Sequence, residues 1–329
     1  MNSDYFGSPQ GYRIQKTIRR AVTLEGVGLH TGQQTRVKLV PAGPNHGIVF
    51  ERQDLERPAR IFAHYDAVVA TEMATTLGYR DWPEARVSTV EHLLAALFAI
   101  GITNLTIEVT GSEIPVLDGS AGPFVDAILD AGVVLQPFSH AVLRILKPVK
   151  VYQNGAICEL LPRDRLRLTT SIDFAHPAIG LQTFALELTP RTFKEQIGAA
   201  RTFGFLRDVE RLKGMQLALG ASLDNVLAFS EREVLNPGGA RFADECVRHK
   251  LLDAIGDLAL CGCWIEGELV SFRGGHSIHL ALLKALREHR SNWEILPPEP
   301  LSARSYSEET APVELALDGQ TGPEIAVYN

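Results

Sequence analysis

The stretch VRHKLLDAIGDL, Val247–Leu258, most narrows what this chain can become. It lacks proline and is rich in Leu, Ala and Ile, so it is predicted to be a helix. On that helix His249, Asp253 and Asp257 recur every four residues and share one face. An imidazole and a carboxylate side by side on a rigid element make half of a metal site. Two more polar sets stand in apolar surroundings: Glu91-His92 within STVEHLLAALFAIG, and His276 after Gly274-Gly275. Three histidines and three carboxylates in such settings point to a catalytic metal centre that gathers distant parts of the chain.

At 329 residues the chain suits two domains. Its 45% apolar and 22% charged content is that of a soluble globular protein. No apolar run reaches the roughly 20 residues of a membrane span. The opening MNSDYFGSPQGYRIQK has no apolar signal core, so a cytoplasmic protein is expected. Cys158, Cys246, Cys261 and Cys263 form no CxxC pair and read as reduced thiols. A net charge of −7 argues against a nucleic-acid partner. It still permits an anionic small substrate, because Arg201, Arg248, Lys250 and Arg273 lie near the motifs.

Residues 1–12 are polar and expected to be flexible. VKLVPAGPNHGIVFE reads as two strands around a turn. Ser88-Thr89 stand where a helix cap belongs, before apolar Val90, Leu93, Leu94 and Leu97, and Gly101 is the stop. NLTIEV is a strand, and FVDAILDAG a short helix. A second series starts near Ala141, with its own strands, the His249 helix, the strand CWIEGELVSF and a last helix HSIHLALLKALREHR. Each half therefore carries a His-led apolar helix, EHLLAAL and RHKLLDA. The fold class expected is α+β: two similar layered domains, 13–138 and 139–295, each a small sheet packed with helices, with the site in the crevice between them. Residues 296–329 are expected to be an extended or disordered tail. No heptad or long apolar face is visible, so a monomer is expected.

His92, His249 and Asp253 supply two nitrogens and one oxygen, a set suited to a catalytic Zn²⁺ with a fourth position open; Fe²⁺ suits it too. Glu91 points about 100° away from His92 on the helix, so it is better placed to take a proton from water than to ligate. Asp257, a turn beyond Asp253, could hold His276 charged as a general acid. His46, His64, His140, His176 and His289 read as ordinary structural histidines. RTFGF, 201–205, is weak as a motif by itself.

Seven segments in order carry a likeness: TLEGVGLHTG, STVEHLLAAL, EIPVLDGSAGPFV, RTFGFLRDVE, LGASLDN, VRHKLLDAIGDL and GGHSIH. Together they resemble the UDP-3-O-acyl-N-acetylglucosamine deacetylases of lipid A biosynthesis, over about residues 13–290. The resemblance implies a cytoplasmic metal-dependent amidase of two similar α+β domains, acting on an acylated UDP-amino sugar. It makes His92, His249 and Asp253 the metal ligands, Glu91 the general base, and His276 the general acid or electrostatic stabiliser with Asp257 as partner. It places Thr202 by the substrate carbonyl, Phe203 against the sugar and Lys250 in the nucleotide-sugar site. Leu29 falls at an acyl-tunnel edge, and Leu206, Val209, Ser222 and Ala228 along the tunnel.

The chain departs from the family's pattern in places. Arg273 stands where Lys is frequent, a fork in place of a point charge that bears on phosphate contacts. Gly220-Ala221-Ser222 replaces Gly-Gly-Ser, adding a methyl to the tunnel wall. Ala74 replaces a Cys that could give a second, inhibitory metal contact. Two alternatives remain at this stage: a non-catalytic relative that keeps the pocket, and an amidase for another acylated sugar nucleotide.

Overall fold

In a computed structural model, residues 13–301 are described. Six helices occur among them: α1 (Glu91–Ile100), α2 (Gly122–Ala131), α3 (Pro190–Gln196), α4 (Val209–Gly214), α5 (Glu245–Ala259) and α6 (His276–Glu288). They pack with two five-stranded mixed sheets in an α+β arrangement.

The two sheets follow one plan. The first runs Val22–Val27, Gln34–Pro41, Leu105–Thr110, Ile48–Arg52, Ala59–Phe62. The second runs Val149–Gln153, Ala156–Leu161, Glu268–Phe272, Arg167–Phe174, Gly180–Glu187. In both, the central strand comes last in sequence, antiparallel to one neighbour and parallel to the other. In both, one helix precedes the central strand (α1 or α5) and one follows it (α2 or α6). The short His-led likeness is therefore the visible trace of a repeat in the whole topology. Alternation sets the faces: Gln34–Pro41 is exposed and buried by turns through Leu39, and Leu105–Thr110 buries Leu105, Ile107 and Val109.

The expected pair of strands around Pro41–Gly47 exists, but the two are not neighbours: Leu105–Thr110 lies between them. A crossover of this kind leaves no mark in local pattern. Ser88-Thr89 also does not cap α1. The cap position is Val90, without a side-chain bond, and Thr89 sits at φ 57° with its hydroxyl donated to Glu113 Oε1, 2.9 Å away. The stop at Gly101 is as expected, with φ 82°.

All ten residues of α1 are buried, as are twelve of the fifteen in α5. One continuous apolar core, including Val37, Phe50, Leu93, Leu97, Leu251, Leu258 and Leu269, joins both halves. Each such side chain contributes about 1.5–3 kcal/mol on burial. The two helices meet at Gly256, where a Cβ would stand 2.1 Å from the Glu91 carbonyl oxygen. In a helix interior Ala is ordinarily favoured over Gly by about 1 kcal/mol. Here Gly256→Ala is expected to lower both the melting temperature and turnover, because the methyl pushes Glu91 and His92 away from α5. A melting temperature at or above wild type would refute that contact.

Strand Val133–Ser139 pairs with Ile14–Ile18, and Val142–Ile145 lies between Trp264–Glu266 and Trp293–Leu296. The chain beyond Leu296 stays attached as far as it is described: Pro300 bridges Phe138, and Leu301 N–H donates to the Pro137 carbonyl. The expectations for residues 1–12 and 302–329 fall outside the described residues. Among the described residues no helix is long and apolar enough to cross a membrane.

Candidate active site

The start of α1 and the middle of α5 bring His92, His249 and Asp253 together at the floor of a cavity of about 590 Å³. Asp253 Oδ1 lies 3.4 Å from His249 Nε2 and 3.7 Å from His92 Nε2. All three side chains are buried. His249 Nδ1 faces the Ala200 carbonyl at 3.0 Å. A carbonyl only accepts, so Nδ1 carries the proton and Nε2 keeps its lone pair for a ligand. Acceptor atoms thus converge on one point, which a cation would complete. Ligand atoms about 2.0–2.2 Å from a tetrahedral Zn²⁺ lie about 3.3–3.6 Å from one another, close to the spacing seen.

The electrostatics agree with that fit. Burial, then the neighbouring His249, pushes His92 down to about 3, so it is neutral at physiological pH. Burial likewise lowers His249, against the pull of Asp253. Burial would raise Asp253, but Lys250 and His249 outweigh it and hold the carboxyl below its usual range. Neutral imidazoles and an ionised carboxylate are the forms that bind a divalent ion.

Lys250 donates to Asp253 Oδ2 at 2.8 Å while also lining the cavity. It therefore steadies the Asp253 carboxylate as well as facing the pocket expected for it. The segment Ala200–Thr202 is fixed by a buried ion pair: Arg201 donates through its backbone N–H and Nε to Glu245 Oε1, both at 2.9 Å, and through Nη2 to Oε2 at 3.1 Å. This pair sets the Ala200 carbonyl that orients His249 and the direction of Thr202.

A second polar group stands above the first. Glu91 Oε2 accepts from Thr75 N–H at 3.0 Å, and Oε1 lies 3.8 Å from His276 Nε2. His276 Nδ1 lies 2.9 Å from Asp257 Oδ2, and Thr75 Oγ1 donates to Asp257 Oδ1 at 2.7 Å. Burial raises Glu91 to about 7, partly offset by His276. Burial opposes charging His276, but Asp257 and Glu91 prevail and hold it up at about 9. Asp257 is below the usual carboxylate range because His276 and hydrogen bonds outweigh its burial. A carboxyl that titrates near neutrality thus faces an imidazole that is charged there.

Of the substrate-contact residues expected from sequence, Leu29, Thr202, Phe203, Lys250 and Arg273 line this cavity. Leu206, Val209, Ser222 and Ala228 do not. Leu206 is 59% exposed, Ser222 closes its own loop through Asn225, and Ala228 N–H is taken by Asn236. The histidines read as structural have local partners: His46 bonds Thr106, His64 accepts from Asp66 N–H, and His176 faces the Ser230 carbonyl. His140 is held down at about 4 by burial.

Sequence reasoning missed Thr75, Glu113 and His279. Buried Glu113 accepts from the backbone N–H groups of His30 and Thr31, both at 2.8 Å, and from Thr89. It ties the loop Leu29-His30-Thr31 to the entry of α1. His279, three residues after His276 on α6, could have been found by spacing alone.

Residues 15–288 match the family model described as UDP-3-O-acyl N-acetylglycosamine deacetylase. Curated proteins named UDP-3-O-acyl-N-acetylglucosamine deacetylase from Brucella melitensis biotype 2 and Brucella ovis are each 46% identical over 283 residues, covering 86% of this chain and 98% of theirs. The match spans both repeated halves and every residue of the buried polar centre. This chain belongs to the UDP-3-O-acyl-N-acetylglucosamine deacetylase family.

Proposed function

We propose that this chain removes the N-acetyl group of UDP-3-O-acyl-N-acetylglucosamine, in the lipid A pathway of the cytoplasm, as a Zn²⁺-dependent monomer. One observation carries the reading: a three-ligand set faces a carboxylate with pKa about 7 and an imidazole with pKa about 9 in one cavity. A divalent ion held by His92, His249 and Asp253 would act as a Lewis acid and supply water activated near neutral pH.

The residues then divide the work. Glu91, fixed by Thr75 N–H, takes a proton from the attacking water. His276, charged and anchored on Asp257, stabilises the oxyanion and supplies the proton that the leaving amine needs. Thr202 presents its hydroxyl near the acetamide carbonyl. Phe203 lies against the sugar, and Lys250 and Arg273 answer the diphosphate. The acyl chain leaves the cavity past Leu29, and Leu206, exposed outside it, is available to apolar contact. The two layered halves act as domains, 13–138 and 139–295, with the substrate held in the crevice between them.

The proposal fixes the sign of the pH profile. Activity rises as Glu91 loses its proton and falls as His276 loses its own, so the rate is bell-shaped. A bound cation favours the carboxylate and disfavours the imidazolium, so both limbs lie below the metal-free values of about 7 and about 9. His276→Gln is expected to remove the alkaline limb; a limb that stays in place takes His276 out of the acid role. The function itself is tested by mass-spectrometric deacetylation assays on acylated UDP-N-acetylglucosamines, with and without chelator. Release of acetate that stops with chelator supports it. Binding without turnover under metal-replete conditions would identify a non-catalytic relative instead.

A further inference from the structure

We propose that His279 is a positioning residue for this reaction, acting with Ser271 to set both the carboxylate that anchors His276 and the turn that projects it. The inference rests on the functional reading above.

His279 is 1% exposed and lies one turn beyond His276 on α6. Its Nδ1 is 2.8 Å from Asp257 Oδ2, and its Nε2 is 3.3 Å from Ser271 Oγ. An ionised carboxylate only accepts, so Nδ1 carries the proton, and Nε2 pairs with the Ser271 hydroxyl. Ser271 belongs to the central strand Glu268–Phe272 and is 2% exposed. A continuous chain Ser271–His279–Asp257–His276 thus leads from the sheet to the catalytic cavity.

Asp257 Oδ2 lies 2.9 Å from His276 Nδ1 and 2.8 Å from His279 Nδ1, while Oδ1 accepts from Thr75 and lies 3.1 Å from His276 Nδ1. With His276 alone, the carboxylate could rotate and carry the imidazole with it. Because His276 reaches both oxygens, the plane is fixed by the two other donors, Thr75 on Oδ1 and His279 on Oδ2. The turn before α6 is set by the same pair. A Cβ at Gly274 would stand 2.0 Å from Ser271 Oγ and 2.9 Å from His279 Nε2, so Gly274 packs directly on them. His279 therefore constrains His276 through Asp257 and through the backbone that precedes it. Burying an imidazole between a hydroxyl and a carboxylate is unfavourable unless every partner is met. The neighbouring buried residues of α6, Ile278, Leu282 and Leu283, show that an apolar side chain would suit the surroundings.

Two variants separate positioning from packing. His279→Asn keeps an N–H donor where Nδ1 lies and gives up the Ser271 bond. His279→Leu keeps bulk and gives up both. His279→Leu is expected to lower kcat by about 10–100-fold, the range for losing an outer partner of a catalytic group, with KM unchanged. His279→Asn is expected to recover most of that loss even where the two variants melt alike. In ¹⁵N-histidine spectra the His276 ring signals should shift in the Leu variant and stay in the Asn variant. Wild-type kcat in His279→Leu, or Asn no better than Leu at equal melting temperature, overturns the role. If wild-type protein does not deacetylate, the functional reading falls, and the spectra alone decide positioning: His276 signals unmoved in both variants refute it.

Discussion

Replacing Glu91 with Gln is expected to lower kcat by about 10²–10⁴ while leaving KM and metal content near wild type. The amide keeps the size of the carboxylate and can still accept from Thr75 N–H, so geometry survives and only the base is lost. The same change bears on stability with an opposite sign. Burial raises Glu91 from 4.5 to about 7, so its charged form is disfavoured in the fold. In metal-free protein that penalty grows as pH rises from the unfolded value towards about 7 and is full above it. Glu91→Gln should therefore melt at or above the wild-type temperature at pH 8. A nearly dead variant that is at least as stable marks a group kept for chemistry. Near-normal turnover would remove Glu91 from the base role. A loss of activity accompanied by a large drop in melting temperature would make it a structural residue.

Asp253→Asn is expected to have the other large effect. The amide can still face Lys250, whose ammonium otherwise donates to Asp253 Oδ2, so the fold should hold. What goes is the only anion in the set of His92, His249 and Asp253. Metal content should fall below one ion per chain, and turnover should drop by more than the about 100-fold that an outer partner accounts for. Excess Zn²⁺ should restore part of it. Full activity at wild-type metal content would show that Asp253 is not a ligand. Metal content measured by mass spectrometry alongside steady-state rates makes the comparison.

The parts of this site that the sequence made legible are those encoded locally. His249, Asp253 and Asp257 share a face because a helix repeats near every four residues, and that stripe needs no tertiary information. Glu91-His92 stood out as charge inside an apolar run. What stayed hidden depends on long-range contact. Thr75 bonds Asp257 from 182 residues away, and nothing near Thr75 announces it. Glu113 matters because it holds Thr89 at a positive φ, a strain no pattern displays. Gly256 carries no local sign of its role, which is set by the Glu91 carbonyl lying where its Cβ would be. Much the same holds for the fold. Many strand and helix positions followed from periodicity, but CWIEGELVSF, expected as one strand, is two strands of different sheets, Trp264–Glu266 and Glu268–Phe272, and the insertion of Leu105–Thr110 between two earlier strands, repeated in the second sheet, is a property of topology. Helix capping failed at Ser88-Thr89 because a buried carboxylate competed for the hydroxyl. His279 is the exception, within reach of spacing yet passed over.

Whether one divalent ion sits among His92, His249 and Asp253 is tested most directly by a crystal structure of the Zn²⁺-loaded protein with data collected at the zinc absorption edge. The account expects a single anomalous peak about 2.0–2.2 Å from His92 Nε2, His249 Nε2 and Asp253 Oδ1. A peak that touches none of the three, or full catalytic activity in protein that shows no peak there, would contradict it.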